Sequence, residues 1–186
     1  IDARNSAHFT SSWQNCSALT SFPAGAKLGT SAANVNFSSA WHSSGLTSFS
    51  TPLPTATNLS YSWFRCYNLT SFSSELPLVG NAFRAWETCT SLIVFDTPLP
   101  LASSVVRSWV GCNSLTKFDS RLPSIHNANL AWQNCSSLTD FSAEVFSSWN
   151  PSSISTGVFD NTWDGCTALS AISVENILTS IAASGQ

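Results

Sequence analysis

Trp13-Gln-Asn-Cys16-Ser-Ala-Leu19-Thr-Ser-Phe22 is the first copy of a phrase that returns at Trp63/Cys66, Trp86/Cys89, Trp109/Cys112, Trp132/Cys135 and Trp163/Cys166, 23 residues apart through the middle of the chain. A seventh copy, at Trp41, is one residue shorter and carries Ser44 where the others have Cys. Inside a copy, Phe9, Trp13 and Cys16 stand at i, i+4 and i+7, as do Phe159, Trp163 and Cys166. That spacing predicts three side chains on one face of a short helix. The Leu-Thr-x-Phe that follows is too short and too β-rich to prolong it, which predicts brief strands at Thr20 to Phe22, Thr70 to Phe72 and Thr116 to Phe118. Proline fixes φ and disfavours helix just before it, so Leu53-Pro54, Leu76-Pro77, Leu99-Pro100 and Leu122-Pro123 predict the turn back toward the next Trp.

A period in the twenties built on one Leu-x-x-Phe phrase is the mark of a leucine-rich solenoid, whose units cannot bury their apolar faces alone and stack on their neighbours. The expected fold is α/β: about seven units, one parallel sheet roughly 34 Å long at about 4.8 Å per unit, and a C-terminal capping helix. One domain is expected, with solenoid over 1–172 and helix over 173–186. Ser173 reads as the N-cap, Gly185 as the stop, and Val174, Ile177, Leu178, Ile181 and Ala182 as the buried stripe. Two steps are longer, 28 residues from Trp13 to Trp41 and 31 from Trp132 to Trp163, and place insertions at Lys27 to Val35 and Phe146 to Thr156. The second holds Trp149, which lies outside the ladder and reads either as an exposed contact or as a plug over the end of the core.

Charged residues make up only 9% of the chain, against an ordinary fraction of about 25%, so Ser, Thr and Asn must cover the surface. A net charge of -3 supplies no basic field for nucleic acid, and no apolar run approaches the roughly 20 residues that span a bilayer. No Met occurs, and Ile1-Asp-Ala-Arg lacks the basic start and apolar middle of a signal peptide, so the reading expects a segment of a longer protein.

The phrase Trp/Phe-x-x-Cys-x-x-Leu-Thr-x-Phe with small polar spacers resembles the BspA-like leucine-rich repeats and the related bacterial surface-protein repeat of about 26 residues. The chain looks like a Trp-containing variant, with Ala40-Trp41, Ser62-Trp63, Ala85-Trp86 and Ser108-Trp109 where that family usually shows Met-Phe, and with Phe72-Ser-Ser or Phe118-Asp-Ser where it shows Leu-Asp-Leu. Closed by Ser173-Val-Glu-Asn-Ile-Leu-Thr-Ser-Ile, the variant is similar to repeat regions of marine phage and bacterial surface or fibre proteins. The resemblance implies the fold and a place in adhesion, host recognition or assembly, with no catalytic motif and no cofactor.

Six Cys could make three disulfides. All six share one column of the repeat on the Trp stripe, where stacked side chains run alongside one another, so free buried thiols are expected. No Cys-x-x-Cys or other clustered ligand set points to a metal. His8, His42 and His126 fall at unrelated offsets and form no triad with Ser and Asp. Asp96 and Asp119 share a column and should lie about 5 Å apart, which superficially suits retaining glycosidases, yet an open sheet offers no enclosed cleft to raise either pKa. Arg84 and Arg107, two residues before Trp, read as solvated, and the Asn-x-Ser/Thr sequons at Asn15, Asn36, Asn58, Asn68 and Asn134 follow from the repeat wording.

The columns flanking each inward Phe make the stronger candidate. Ser48/Ser50, Ser71/Ser73, Val94/Asp96, Lys117/Asp119 and Asp140/Ser142 should face outward on the strands, Ser-rich toward one end and of mixed charge in the middle. The site expected for binding is therefore Ser48, Ser50, Ser71, Ser73, Asp96, Lys117, Asp119 and Asp140, with Trp149 beside it. A non-enzymatic recognition or adhesion module on a virion or cell surface is expected, taking a host glycan or protein; a decoration or fibre segment binding its own copies or neighbouring subunits is the alternative.

Overall fold

The structure, a computed structural model, describes residues 1–147, 149 and 157–183. It holds β1 (Asp2–Ala3), β2 (Lys27–Leu28), β3 (Val35–Asn36), β4 (Ser48–Phe49), β5 (Ala56–Asn58), β6 (Ser71–Phe72), β7 (Val94–Phe95), β8 (Lys117–Phe118), β9 (Asp140–Phe141) and α1 (Ala171–Ala183). All strand pairs are parallel, in sheets ordered β1-β2, β3-β5, β4-β6 and β7-β8-β9. The repeat period is the register: Ser48 pairs with Ser71, Val94 with Lys117, and Lys117 with Asp140. The single long sheet expected from the sequence is thus broken into short pieces. Between β6 and β7 the link is the Ile93 N–H to Thr70 O bond, 3.3 Å, and at Thr20 to Phe22 no strand forms, although the Thr47 N–H still donates to Thr20 O at 2.9 Å.

The segment carrying Trp is not helical. Alternate N–H groups close local turns, as Ser62 to Leu59 O (2.9 Å) and Cys66 to Trp63 O (3.0 Å), while those between them leave for the next copy, as Tyr61 to Phe83 O (2.9 Å), Trp63 to Ala85 O (2.8 Å) and Arg65 to Glu87 O (2.9 Å). A helix would have consumed all of them within the segment. The residues two before and two after each Trp of the repeated phrase have left-handed φ, as Tyr61 +59° and Arg65 +60°, Arg84 +54° and Thr88 +60°, Leu130 +58° and Asn134 +61°. Such residues end helices within a turn. A second column lies five residues before Trp, where isolated bridges join Asn58 to Asn81, Asn81 to Ser104 and Ser104 to Asn127. There the Asn side chains cap the N–H two residues on, as Asn58 Oδ1 does for Ser60 at 3.0 Å and Asn81 Oδ1 for Phe83 at 3.0 Å.

Between turn segment and strand lies the core. The indoles of Trp41, Trp63, Trp86, Trp109 and Trp132 are fully buried and stack face to face, with centroids 5.1 Å apart for Trp41/Trp63, 5.6 Å for Trp63/Trp86, 5.4 Å for Trp86/Trp109 and 5.3 Å for Trp109/Trp132. Each meets the strand Phe of its own copy at a steep angle, as Trp41 meets Phe49 at 4.6 Å and Trp109 meets Phe118 at 4.8 Å. Trp therefore comes inward from the turn side and Phe from the strand side, which puts their outward-facing neighbours on opposite surfaces. All six Cys are free; five are buried, and Cys16, in the first copy, is exposed against expectation. Each buried thiol donates to the Trp carbonyl of the preceding copy, from Cys66 Sγ to Trp41 O (3.1 Å) through Cys166 Sγ to Trp132 O (3.0 Å). Where the copy at Trp41 is one residue short, Gly45 lies so close to its neighbour that an added Cβ would stand 2.0 Å from Ser17 O.

α1 begins at Ala171, two residues earlier than expected, and Ser170 is its cap: Ser170 Oγ accepts the Ser173 N–H at 3.1 Å. Of the expected stripe, Ile177 is buried and Ile181 packs against the core, but Val174 and Leu178 are 44% and 63% exposed, and Ser173 and Ser180 point inward beside Ile177. Beyond β9 the chain has backbone groups with no further strand to bond, and α1 supplies side-chain partners instead. Ser173 Oγ donates to Thr139 O (2.8 Å) and accepts the Phe141 N–H (3.0 Å), Asn176 Nδ2 donates to Phe141 O (3.0 Å), and Ser180 Oγ accepts the Phe146 N–H (2.8 Å). Hydroxyls and an amide close a polar edge better than methyl groups could. The expected stop at Gly185 and most of the second insertion lie outside the described residues.

Candidate functional site

Strand pairing aligns the outward columns. Ser48 lies beside Ser71 and Lys117 beside Val94 and Asp140, while the Phe between the columns turns inward. Ser48, Ser50, Ser71, Ser73, Asp96 and Asp140 are exposed, with Lys117 and Asp119 half-exposed. Lys117 Nζ stands 3.6 Å from Asp119 Oδ2 and 3.7 Å from Asp140 Oδ2, one cation shared by two carboxylates. All eight strand residues expected for binding thus share one surface. In its middle lies a shallow depression of about 380 Å³ walled by Thr70, Ser71, Ser73, Val94 and Asp96, with Ile93 49% exposed at its side. The Thr residues leading into the strands hold neighbouring copies together, as Thr70 Oγ1 to Thr47 O (2.9 Å) and Thr139 Oγ1 to Thr116 O (3.2 Å). Their hydroxyls are thereby fixed rather than free to rotate.

Trp149 does not belong to this surface. It is 3% exposed, packs against Phe159 at 5.3 Å, and its indole N–H donates to Ile125 O at 2.6 Å. Of the two readings of this residue, the structure has the plug. An indole carries too much apolar area to leave in water when the open end of the core is at hand.

On the opposite surface the outer side of the turn segments carries a feature the sequence reading passed over. Tyr61, Phe64 and Phe83 pack edge to face, Tyr61 at 5.5 Å from Phe64 and 5.3 Å from Phe83, and His42 meets Phe64 at 5.0 Å. The Arg84 guanidinium lies over Tyr61 (5.6 Å) and Phe83 (5.4 Å), and that of Arg65 over Phe64 (4.9 Å). Glu87, itself buried, lies 3.4 Å from Arg84 and 3.3 Å from Arg107. Both arginines, expected to be solvated, are therefore half-buried around one carboxylate. Burial, helped by the Arg65 charge, lowers the pKa of His42 and so favours the neutral imidazole. The signal in the sequence was Tyr61, Phe64 and Phe83, which put Tyr or Phe in columns that hold neither in any other copy, with Arg65 and Arg84 beside them.

Asp96 and Asp119 sit on the open strand face, Asp96 at the wall of the shallow depression, and no group of His, Cys, Asp and Glu among the described residues could hold a metal ion. A proline-walled groove of about 170 Å³ runs along the loop edge by Pro98, Pro100 and Pro123, with the Arg121–Glu144 pair (2.9 Å) at its rim. No helix among the described residues is long and apolar enough to cross a membrane. In comparisons with known proteins, the chain matches no family model, no curated protein and no solved structure.

Proposed function

We propose that the chain is a leucine-rich-repeat solenoid of about seven units, of the BspA-like kind, acting as a non-enzymatic recognition or adhesion module on the outside of a virion or cell. One observation carries this reading: eight residues spread over nearly a hundred positions of sequence, from Ser48 to Asp140, are collected by the 23-residue register onto one exposed face of hydroxyls, carboxylates and a single Lys. Hydrogen-bonding groups held in rows by a rigid backbone suit a glycan or a polar protein surface, because little side-chain entropy is lost on binding. No nucleic acid, membrane insertion or cofactor enters this reading.

Screening labelled wild-type chain on a glycan array and on immobilised surface proteins, beside Lys117→Glu and Asp119→Arg, tests it. Surface substitutions of this kind change stability by about 0.5 kcal/mol or less, so both variants keep the wild-type circular dichroism and melting curve while losing the ligand. Variants that bind as wild type does, or a wild type that binds nothing on either surface, would sink the proposal. The alternative, a decoration or fibre segment that binds its own copies, draws on the turn-side cluster of Tyr61, Phe83, Arg84 and Arg65, whose composition is that of interface hot spots.

A further inference from the structure

We infer that the strand face, read above as the recognition surface, takes as one of its partners the turn-side surface of a second copy of this chain. The two surfaces are charge mirrors of each other. On the turn side Arg84 and Arg107 share the one carboxylate of Glu87, and Arg65 has no ion pair among the described residues, so three cations face one anion. On the strand side Asp119 and Asp140 share the one ammonium of Lys117, and Asp96 stands beside them, so three anions face one cation. The other acids of the turn side, Asp160 and Asp164, belong to the last copy of the phrase, away from the cluster.

Spacing favours this partner over an arbitrary acidic one. Arg84 and Arg107 are one copy apart, as are Asp96 and Asp119, and both pairs ride on the same set of neighbouring backbones. Two copies laid side by side along a common axis therefore meet with equal charge steps on both surfaces. Chemistry agrees as well. Tyr61, Phe83 and Arg84 form a half-exposed aromatic and guanidinium cluster, and the strand side has the shallow depression beside the exposed Ile93, edged by Asp96. Aromatic rings seated on apolar surface within a polar rim, with an arginine reaching a carboxylate, are how interface centres are built. The two surfaces lie on opposite sides of the molecule, so the contact is heterologous and each bound copy presents a fresh strand face; such contacts extend into filaments or close into rings.

Analytical ultracentrifugation at about 0.02 M salt and again at about 0.5 M, where screening shortens the reach of charge to a few ångströms, tests the proposal. Wild type should gain mass with concentration at low salt and return toward 19.9 kDa at high salt. Arg65→Asp disables the turn side and Asp96→Arg the strand side; both residues are exposed, and each variant alone should stay monomeric. Mixed, the two retain one intact surface each, so they should form a 1:1 dimer that grows no further. Wild type that is monomeric at low salt, single variants that associate as wild type does, or a mixture that fails to pair would each overturn the inference. If wild type is monomeric yet Lys117→Glu loses a glycan or protein ligand, the recognition reading stands and only the second copy falls.

Discussion

Replacing Trp109 by Ala removes an inner rung of the aromatic ladder. The indole is fully buried, lies between Trp86 at 5.4 Å and Trp132 at 5.3 Å, and meets Phe95 at 4.9 Å and Phe118 at 4.8 Å. Trp-to-Ala changes in well-packed cores cost about 3–5 kcal/mol. The neighbours here are held by backbone bonds between copies, such as Trp109 N–H to Ala131 O at 2.9 Å, so the cavity cannot collapse and the cost belongs at the upper end. Against a total stability of about 5–15 kcal/mol and a urea slope of about 2 kcal/mol per molar, the midpoint should fall by about 2 M. Circular dichroism through a urea series measures it. The same change at Trp13, which is half-buried and stacks on one indole, Trp41 at 5.3 Å, should cost clearly less. A loss below about 1 kcal/mol at Trp109, or an equal loss at both sites, would refute a ladder in which each rung is held from two sides.

Thiol chemistry should divide the cysteines one against five. Burial raises the pKa of Cys66, Cys89, Cys112 and Cys135, so at neutral pH a colorimetric thiol reagent should find Cys16 alone on the native chain and all six after denaturation. Above the ordinary thiol value of 9.0 the unfolded chain loses thiol protons that these four buried groups keep. The unfolded state then binds fewer protons, so stability is full below that pH and falls as pH rises, by about 1.4 kcal/mol per pH unit for each thiol; urea midpoints from pH 8 to 10 measure the slope. Removing the side-chain hydroxyls that close the edge of β9, in Ser173→Ala with Ser180→Ala, should leave buried backbone groups unbonded at about 1–3 kcal/mol each. Hydrogen exchange at the Phe141 and Phe146 amides should accelerate first, and unchanged exchange there would deny α1 its capping role.

What the sequence made legible was whatever repeats in apolar letters. Trp, Cys, Leu and Phe each recur at a fixed place, and the structure stacks each column as the period requires. The turn segment was misread because i, i+4, i+7 spacing is common to a helix and to a chain of turns with left-handed residues every fourth position. The discriminating signal sits two residues after Trp, where Asn15, Gly111, Asn134 and Gly165 tolerate positive φ. The Asn column five residues before Trp went unread because it is polar, although it holds Asn in four of the seven copies, at Asn36, Asn58, Asn81 and Asn127. For α1 the apolar stripe gave only Ile177 and Ile181 of the packed face and missed Ser173 and Ser180, since the edge the helix covers also needs donors and acceptors. The strand surface was legible because alternation fixes which side chains face out; the turn-side cluster was not, because its members are departures from the repeat.

Spin labels on the strand face give the most direct test of the coil stack beneath this account. With one copy per step of about 4.8 Å, labels at Ser48 and Lys117, three copies apart, should sit about 14 Å apart at the backbone, and labels at Ser48 and Asp140, four copies apart, about 19 Å. The account predicts narrow distance distributions that differ by one such step. A step near the 8–10 Å spacing of packed helices, or broad distributions without a fixed step, would contradict it.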